Sequence, residues 1–158
     1  MTYLTISYRR AAMSIICLGF LLLGIALPSH SQSLNKDFES IKQTLFQQQK
    51  DWNAGNIDAF MQAYWKSDQL QFGGANGITN GWQATLDGYK ERYPDRAAMG
   101  QLTFEIKDMT QHSKKVISLT GSWSLKRTND QPGGHFLLIW RKIKGKWLIV
   151  TDHTSARG

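Results

Sequence analysis

Gly145-Lys146-Trp147-Leu148-Ile149-Val150-Thr151-Asp152-His153-Thr154-Ser155 decides the fold. A glycine turn feeds an apolar strand, which closes on four polar residues, Asp152 to Ser155. The stretch is too apolar for a solvated edge, so it belongs inside a sheet. Phe136–Trp140 just before it is equally apolar on both faces. Each face of that pair needs cover. Helices supply one side, and a second copy of the chain is the simplest cover for the other. Asp152 and His153 are adjacent, so a strand aims them at opposite faces. Titratable groups at the end of a buried strand suit a pocket floor or a polar seam between subunits.

The preceding segments are amphipathic. Leu102, Phe104 and Ile106 alternate with Thr103, Glu105 and Lys107. Ile117, Leu119, Gly121, Trp123 and Leu125 alternate with polar residues. Each strand has one dry face, which places Phe104, Trp123 and Leu125 inside. Further back, Leu34, Phe38, Ile41, Leu45 and Trp52 fall on one helical face, with Ser33 or Asn35 to cap its start and Gly55 to stop it. Asn56 caps a second helix carrying Ile57, Phe60, Met61, Tyr64 and Trp65. Two short strands, Leu70–Phe72 and Ile78–Thr79, surround a glycine-rich turn. Asn80-Gly81 opens a third helix with Trp82, Leu86, Tyr89 and Tyr93, which Pro94 ends. Helices first and then a long antiparallel sheet make an α+β domain.

The N-terminus has a different composition. Arg9-Arg10, an apolar run from Ala11 to Leu27, Pro28 and Ser29-His30-Ser31 follow the order of a secretory signal peptide cleaved after Ser31. A membrane anchor is the competing reading, but the run is at the short edge for a span. Residues 1–31 are therefore expected to be a signal peptide and 32–158 a single domain, periplasmic or secreted, with no membrane contact after cleavage. The one cysteine, Cys17, lies in the apolar run. The remainder has no disulfide, no thiolate chemistry and no Cys-type zinc site. Without Arg9 and Arg10 the basic residues number 17 against 12 acidic, a formal +5. They are spread over strand ends and turns with no basic helix, so nucleic acid is not an expected partner. No two histidines have metal spacing, and no metal or cofactor is expected.

Asp51-Trp52-Asn53-Ala54-Gly55-Asn56-Ile57-Asp58-Ala59-Phe60 resembles the helix junction of the nuclear transport factor 2-like superfamily. More narrowly it resembles its SnoaL-like and ketosteroid-isomerase-like exported bacterial members of unknown function. Gly81-Trp82, Tyr93-Pro94, Gly121-x-Trp123 and Gly145-Lys146-Trp147 with Asp152-His153-x-Ser155 fit the same pattern. The resemblance implies a cone: a curved antiparallel sheet wrapped around three N-terminal helices with a cavity between them. It also implies dimers through the back of the sheet. The fold hosts isomerases, cyclases, dehydratases, epoxide hydrolases and non-catalytic association domains, so it does not fix an activity.

Which residues reach that cavity depends on the turn at Gly145. A three-residue loop, Lys144-Gly145-Lys146, pairs Ile143 with Trp147. Leu138, Trp140, Val150, Asp152 and Thr154 then share the cavity face, while Arg141, Ile149 and His153 take the dimer face. A two-residue loop would swap the last strand. The superfamily's kinase association domain carries ligand-binding basic residues at positions matching Leu138 and Thr154, which favours the first register. Asp152 would then act as general base or protonated donor, with Tyr64, Tyr89 or Tyr93 as acid or oxyanion partner. Its structural alternative is to pin the strand end. Trp65, Trp82, Tyr93, Phe104, Trp123, Leu138, Trp140 and Thr154 are the expected ligand contacts, the tryptophans serving equally as core. In ketosteroid isomerases the base is an acid on the early strands, yet Leu70–Asn80 contains none. The expected function is an exported dimer that binds a small, largely apolar molecule. A cofactor-free isomerase, cyclase or dehydratase using Asp152 is the second reading, and a purely structural association module the third.

Overall fold

The computed structural model describes residues 30–156, with side chains from Gln32 onward. The expected signal peptide lies outside these residues, apart from the backbone of His30 and Ser31. Helix α1 spans His30–Asn53, so neither Ser33 nor Asn35 caps it. Gly55, at φ 81°, stops it, and the Asn56 side chain accepts from the Ala59 amide to start α2, Ile57–Phe60. A single 3-10 turn, Met61–Ala63, continues the chain. Then come β1 (Gln71–Gly74), β2 (Gly77–Asn80), α3 (Trp82–Arg92) and α4 (Arg96–Met99). Four long strands follow: β3 (Gln101–Ser113), β4 (Val116–Lys126), β5 (Gly133–Ile143) and β6 (Lys146–Ala156). The short α4 is an addition to the three expected helices. Its cap, Asp95, directly follows Pro94, which cannot extend α3.

The sheet is curved and unclosed, in the order β2-β1-β6-β5-β4-β3. It is antiparallel except where β1 runs parallel to β6, Phe72 opposite Asp152. That one junction departs from the expected all-antiparallel sheet. It brings the glycine-rich β1–β2 hairpin beside the polar end of β6. The helices cover the inner face. Ile41 and Leu45 of α1 meet Ile117, Leu119, Trp140 and Ile149, all at most 1% exposed. Fully burying an aliphatic side chain contributes roughly 1.5–3 kcal/mol, so this layer is the main source of stability. Asn53 fastens the helix end to the sheet: its amide accepts from Leu102 N at 2.7 Å and donates to Leu102 O at 3.0 Å. At the other end of the helix layer, Asp37 accepts from Lys142 Nζ at 2.7 Å and Trp147 Nε1 at 2.9 Å.

The turn at Gly145 corrects the expected register. Ile143 pairs with Lys146, leaving a two-residue loop of Lys144 and Gly145. Both have positive φ, 49° and 82°, the conformation of a tight hairpin that follows the twist of its strands. This puts Trp147 and Ile149 on the inner face with Trp140. The strand then bulges. Trp140 pairs with Ile149 but Ile139 with Thr151, so Val150 is the extra residue. Beyond it the alternation is shifted by one, and Leu138 pairs with Asp152 and Phe136 with Thr154. One strand therefore offers two different sets of residues to the same face.

Candidate functional site

A cavity of about 320 Å³ lies between the helices and the open half of the sheet. Its walls are aromatic: Trp52, Phe60, Phe72, Tyr89, Tyr93, Phe104, Trp123 and Phe136, with Leu138 and Thr154 from the sheet. Edge-to-face packing holds the rings, at 4.8 Å between Trp52 and Tyr93, 5.4 Å between Phe60 and Tyr89, and 5.5 Å between Phe72 and Tyr89. Trp52 is tied down by its Nε1, which donates to Met99 O at 3.1 Å. The Gly74–Gly77 turn and the end of α3 complete the lining.

Asp152 is the acid of this cavity, 4% exposed. Three local features deliver it there. The Val150 bulge turns it inward. The 3-10 turn ends on Tyr64, whose backbone bridges to Ile149, and Trp65 N donates to Ile149 O at 2.8 Å. That contact pins the Tyr64 segment against the bulge. Finally, the Tyr64 hydroxyl donates to Asp152 Oδ2 at 2.7 Å, and Thr154 Oγ1 donates to Oδ1 at 2.7 Å.

Burial raises the Asp152 pKa to about 6, against the lowering effect of the bonds from Thr154 and Tyr64 and the charge of His153. Burial likewise raises the Tyr64 hydroxyl well above its ordinary value, with the Asp152 charge adding to the rise. Tyr89, which interacts with the Tyr64 hydroxyl, is raised by burial and then by Asp152. The site thus pairs a carboxylate that exchanges its proton near neutrality with phenols that stay protonated. Such a set can accept a proton at one point and hydrogen-bond a developing negative charge at another.

Asp152, Tyr64, Tyr89, Tyr93, Phe104, Trp123, Leu138 and Thr154 all line the cavity. Three expected contacts do not. Trp140 is completely buried beneath Ile41 and Leu45, inside the bulge, where the sheet is closed by α1. Trp82 is anchored in the core by Nε1 donating to Met61 O at 2.9 Å. Trp65 follows the inward Tyr64 along extended backbone and so turns away, with the Arg141 guanidinium 5.9 Å from its ring. The expected dimer face needs one correction as well. Ile149 is fully buried in the chain's own core, because the two-residue turn points it inward. Arg141 and His153 are exposed on the outer face. Phe72 was not among the expected contacts. Its signal is its pairing with Asp152, which needs a parallel junction that periodicity does not reveal. Among the described residues, no three His, Cys, Asp or Glu side chains gather as a metal site.

No family model and no curated protein matches the chain. Solved structures do. An NTF-2-like protein of unknown function from Shewanella oneidensis MR-1 is 40% identical, with 75% of this chain and 98% of that one covered and a TM-score of 0.73. A ketosteroid isomerase-like protein from Erwinia carotovora atroseptica is 18% identical over 78% and 98%, TM-score 0.64. A putative calcium/calmodulin-dependent protein kinase type II association domain from Thiobacillus denitrificans is 14% identical over 74% and 89%, TM-score 0.61. The last two carry likeness of fold alone. The first carries kinship over nearly its whole length, and with the helix-filled curved sheet it makes this chain a member of the nuclear transport factor 2-like superfamily.

Proposed function

We propose that the protein binds a small, largely apolar molecule in the aromatic cavity. The observation that carries this is the cavity itself: aromatic walls held at fixed distances around a space of ligand size, with one buried carboxyl at its floor. Native mass spectrometry of the protein purified from its host should retain a small molecule, and Leu138→Trp, which fills the space, should lose it. A wild-type protein that carries nothing and binds nothing from an apolar library would sink the reading.

A second reading has its own support. A carboxylate with a pKa of about 6, hydrogen-bonded to a permanently protonated tyrosine, suits proton transfer to and from carbon. Asp152 would take the proton and Tyr89 would hydrogen-bond the enolate oxygen, as in a cofactor-free isomerase or lyase. Asp152→Asn should then abolish turnover while ligand affinity stays within a few fold. An equal loss of both assigns Asp152 to binding.

The assembly and location belong to the same proposal. The outer face of β5 carries Leu137, 40% exposed, beside Ile139, Arg141 and His153 of β6, a surface suited to a second copy of the chain. Leu137→Glu should convert a dimer to a monomer in sedimentation, and a wild-type monomer contradicts the surface. Residues 1–31 direct export, so intact mass of the periplasmic protein should begin at Gln32.

A further inference from the structure

Lysines that are scattered along the sequence are gathered by the strand pairing. Strands β3 and β4 turn at Lys114-Lys115, and β5 and β6 turn at Lys144-Gly145, with Lys146 next. Lys142 N donates to Lys115 O at 3.0 Å, so the two tips lie side by side. Helix α1 reaches the same end, because Asp37 accepts from Lys142 and Trp147, and it brings Lys36 with it. Lys36, Lys114, Lys115, Lys144 and Lys146 are all exposed, and among the described residues none of them is in an ion pair. Residues 109–118 and 137–151 contain no aspartate or glutamate. The nearby acids of α1 are already engaged, Asp37 by Lys142 and Glu39 by Lys42. Like charges gathered without counter-charges repel one another, and an anionic partner relieves the repulsion.

Two observations point to a bilayer as that partner. The chain enters the domain at this end: α1 begins at His30, shortly after the apolar run from Ala11 to Leu27. With that run read as an export signal, the chain is released at a membrane, and the lysine end is the part of the domain nearest to it. The cavity residues Phe136, Leu138, Asp152 and Thr154 lie in the halves of β5 and β6 away from the tips, so contact at the tips leaves the cavity uncovered. We propose that Lys36 and the two hairpin tips form a peripheral docking surface for anionic phospholipid headgroups. This departs from the expectation that the cleaved chain makes no membrane contact, and it does not depend on what the cavity holds.

Vesicle flotation tests it, with protein purified from its host and two compositions: phosphatidylcholine alone, and phosphatidylcholine mixed with phosphatidylglycerol. The mixed vesicles should carry the protein and the neutral ones should not. Binding should vanish at about 1 M salt, where the screening length falls to about 3 Å. Lys114→Gln with Lys115→Gln, and Lys144→Gln with Lys146→Gln, should each weaken binding by roughly tenfold to thirtyfold, at about fivefold per lysine. The same pairs changed to arginine should keep it. Lys50→Gln with Lys126→Gln removes as much charge where α1 and β4 end, away from the tips, and should leave binding unchanged. An equal loss from that control pair overturns the proposal in favour of net charge alone. Salt-resistant binding to neutral vesicles overturns it in favour of apolar insertion. Failure on the mixed vesicles overturns it too, and duplex DNA bound through the same lysines would then name nucleic acid as the partner.

Discussion

The Tyr64 hydroxyl donates to Asp152 Oδ2 across 2.7 Å, joining positions 88 residues apart. The bond links the turn after α2 to the polar end of β6, and both partners are buried. Tyr64→Phe keeps the ring and removes the donor. The carboxylate then loses one of its two donors, so the Asp152 pKa should climb further above about 6. Stability should fall by roughly 1–3 kcal/mol where Asp152 is ionised, and by less in acid. Carboxyl carbon shifts by NMR and urea melts read both. An unmoved pKa would show that the bond has no electrostatic weight.

Asp152 sets a pH dependence of defined sign. Its folded pKa of about 6 lies above its ordinary value of 3.8, so the folded chain holds the proton more tightly. The stability it contributes is complete below about pH 4 and is lost as pH rises through about 6; by about pH 8 the loss approaches 3 kcal/mol. Asp152→Asn removes this dependence and should be the more stable protein at the alkaline end. Urea midpoints for both proteins across that range provide the check; parallel curves would contradict the burial argument.

Asp37 works in the opposite direction. Burial raises its pKa, but the bonds from Lys142 and Trp147 and the Lys142 charge outweigh this and leave it below the ordinary carboxylate value. Its contribution is present above about pH 4 and lost as the pH falls through the folded pKa. Asp37→Asn should therefore destabilise at neutrality and lose its effect in acid. A difference from wild type that does not shrink on acidification would assign Asp37 a purely steric role.

The Lys144–Gly145 turn offers a stabilising change. Lys144 sits at φ 49°, a region unfavourable for a lysine and tolerated by asparagine. Lys144→Asn should raise stability by a few tenths to about 1 kcal/mol, and Gly145→Ala, at φ 82°, should lower it by about 1 kcal/mol or more. Thermal melts of the two variants should move in opposite directions.

Gly121 supports the cavity from beneath. A methyl group there would collide with the Phe136 ring and the Glu105 carbonyl. Gly121→Ala should push Phe136 toward Phe104, now 5.4 Å away centre to centre, and shrink the cavity. Ligand affinity should fall along with stability, by roughly 1–3 kcal/mol for the latter. Unchanged affinity would place the ligand away from Phe136.

These residues also show what a sequence can convey. The dry and wet faces of β3 and β4 are plain in their alternation, as are the Asn56 cap and the Gly55 stop. The last strand is harder. Its alternation reads cleanly from either end, Trp147-x-Ile149 and Asp152-x-Thr154, but the two halves are out of phase. One bulged residue, Val150, reconciles them, and an isolated valine carries no mark of a bulge. A three-residue turn accounts for the inward Asp152 equally well on paper, and it misplaces Ile149. The three tryptophans off the cavity fail for a related reason. A tryptophan on an apolar face can pack or line: α1 lies over Trp140, the Met61 carbonyl holds Trp82 in the core, and the extended backbone after Tyr64 turns Trp65 away, choices that only the assembled layers decide.

The parallel pairing of β1 with β6 also determines the order in which the molecule can be completed. Gln71–Gly73 find their neighbours at Thr151–His153, and Tyr64 finds its acceptor at Asp152. On a ribosome the first partners emerge long before the second. The helices and the β3–β4 hairpin form from nearby contacts, whereas the wall carrying Phe72 waits for the last strand. Such distant closures slow folding. A nascent chain halted before β6 therefore lacks the acid at the cavity floor, the strand that ties β1 to the sheet, and Ile149 of the core layer beneath α1.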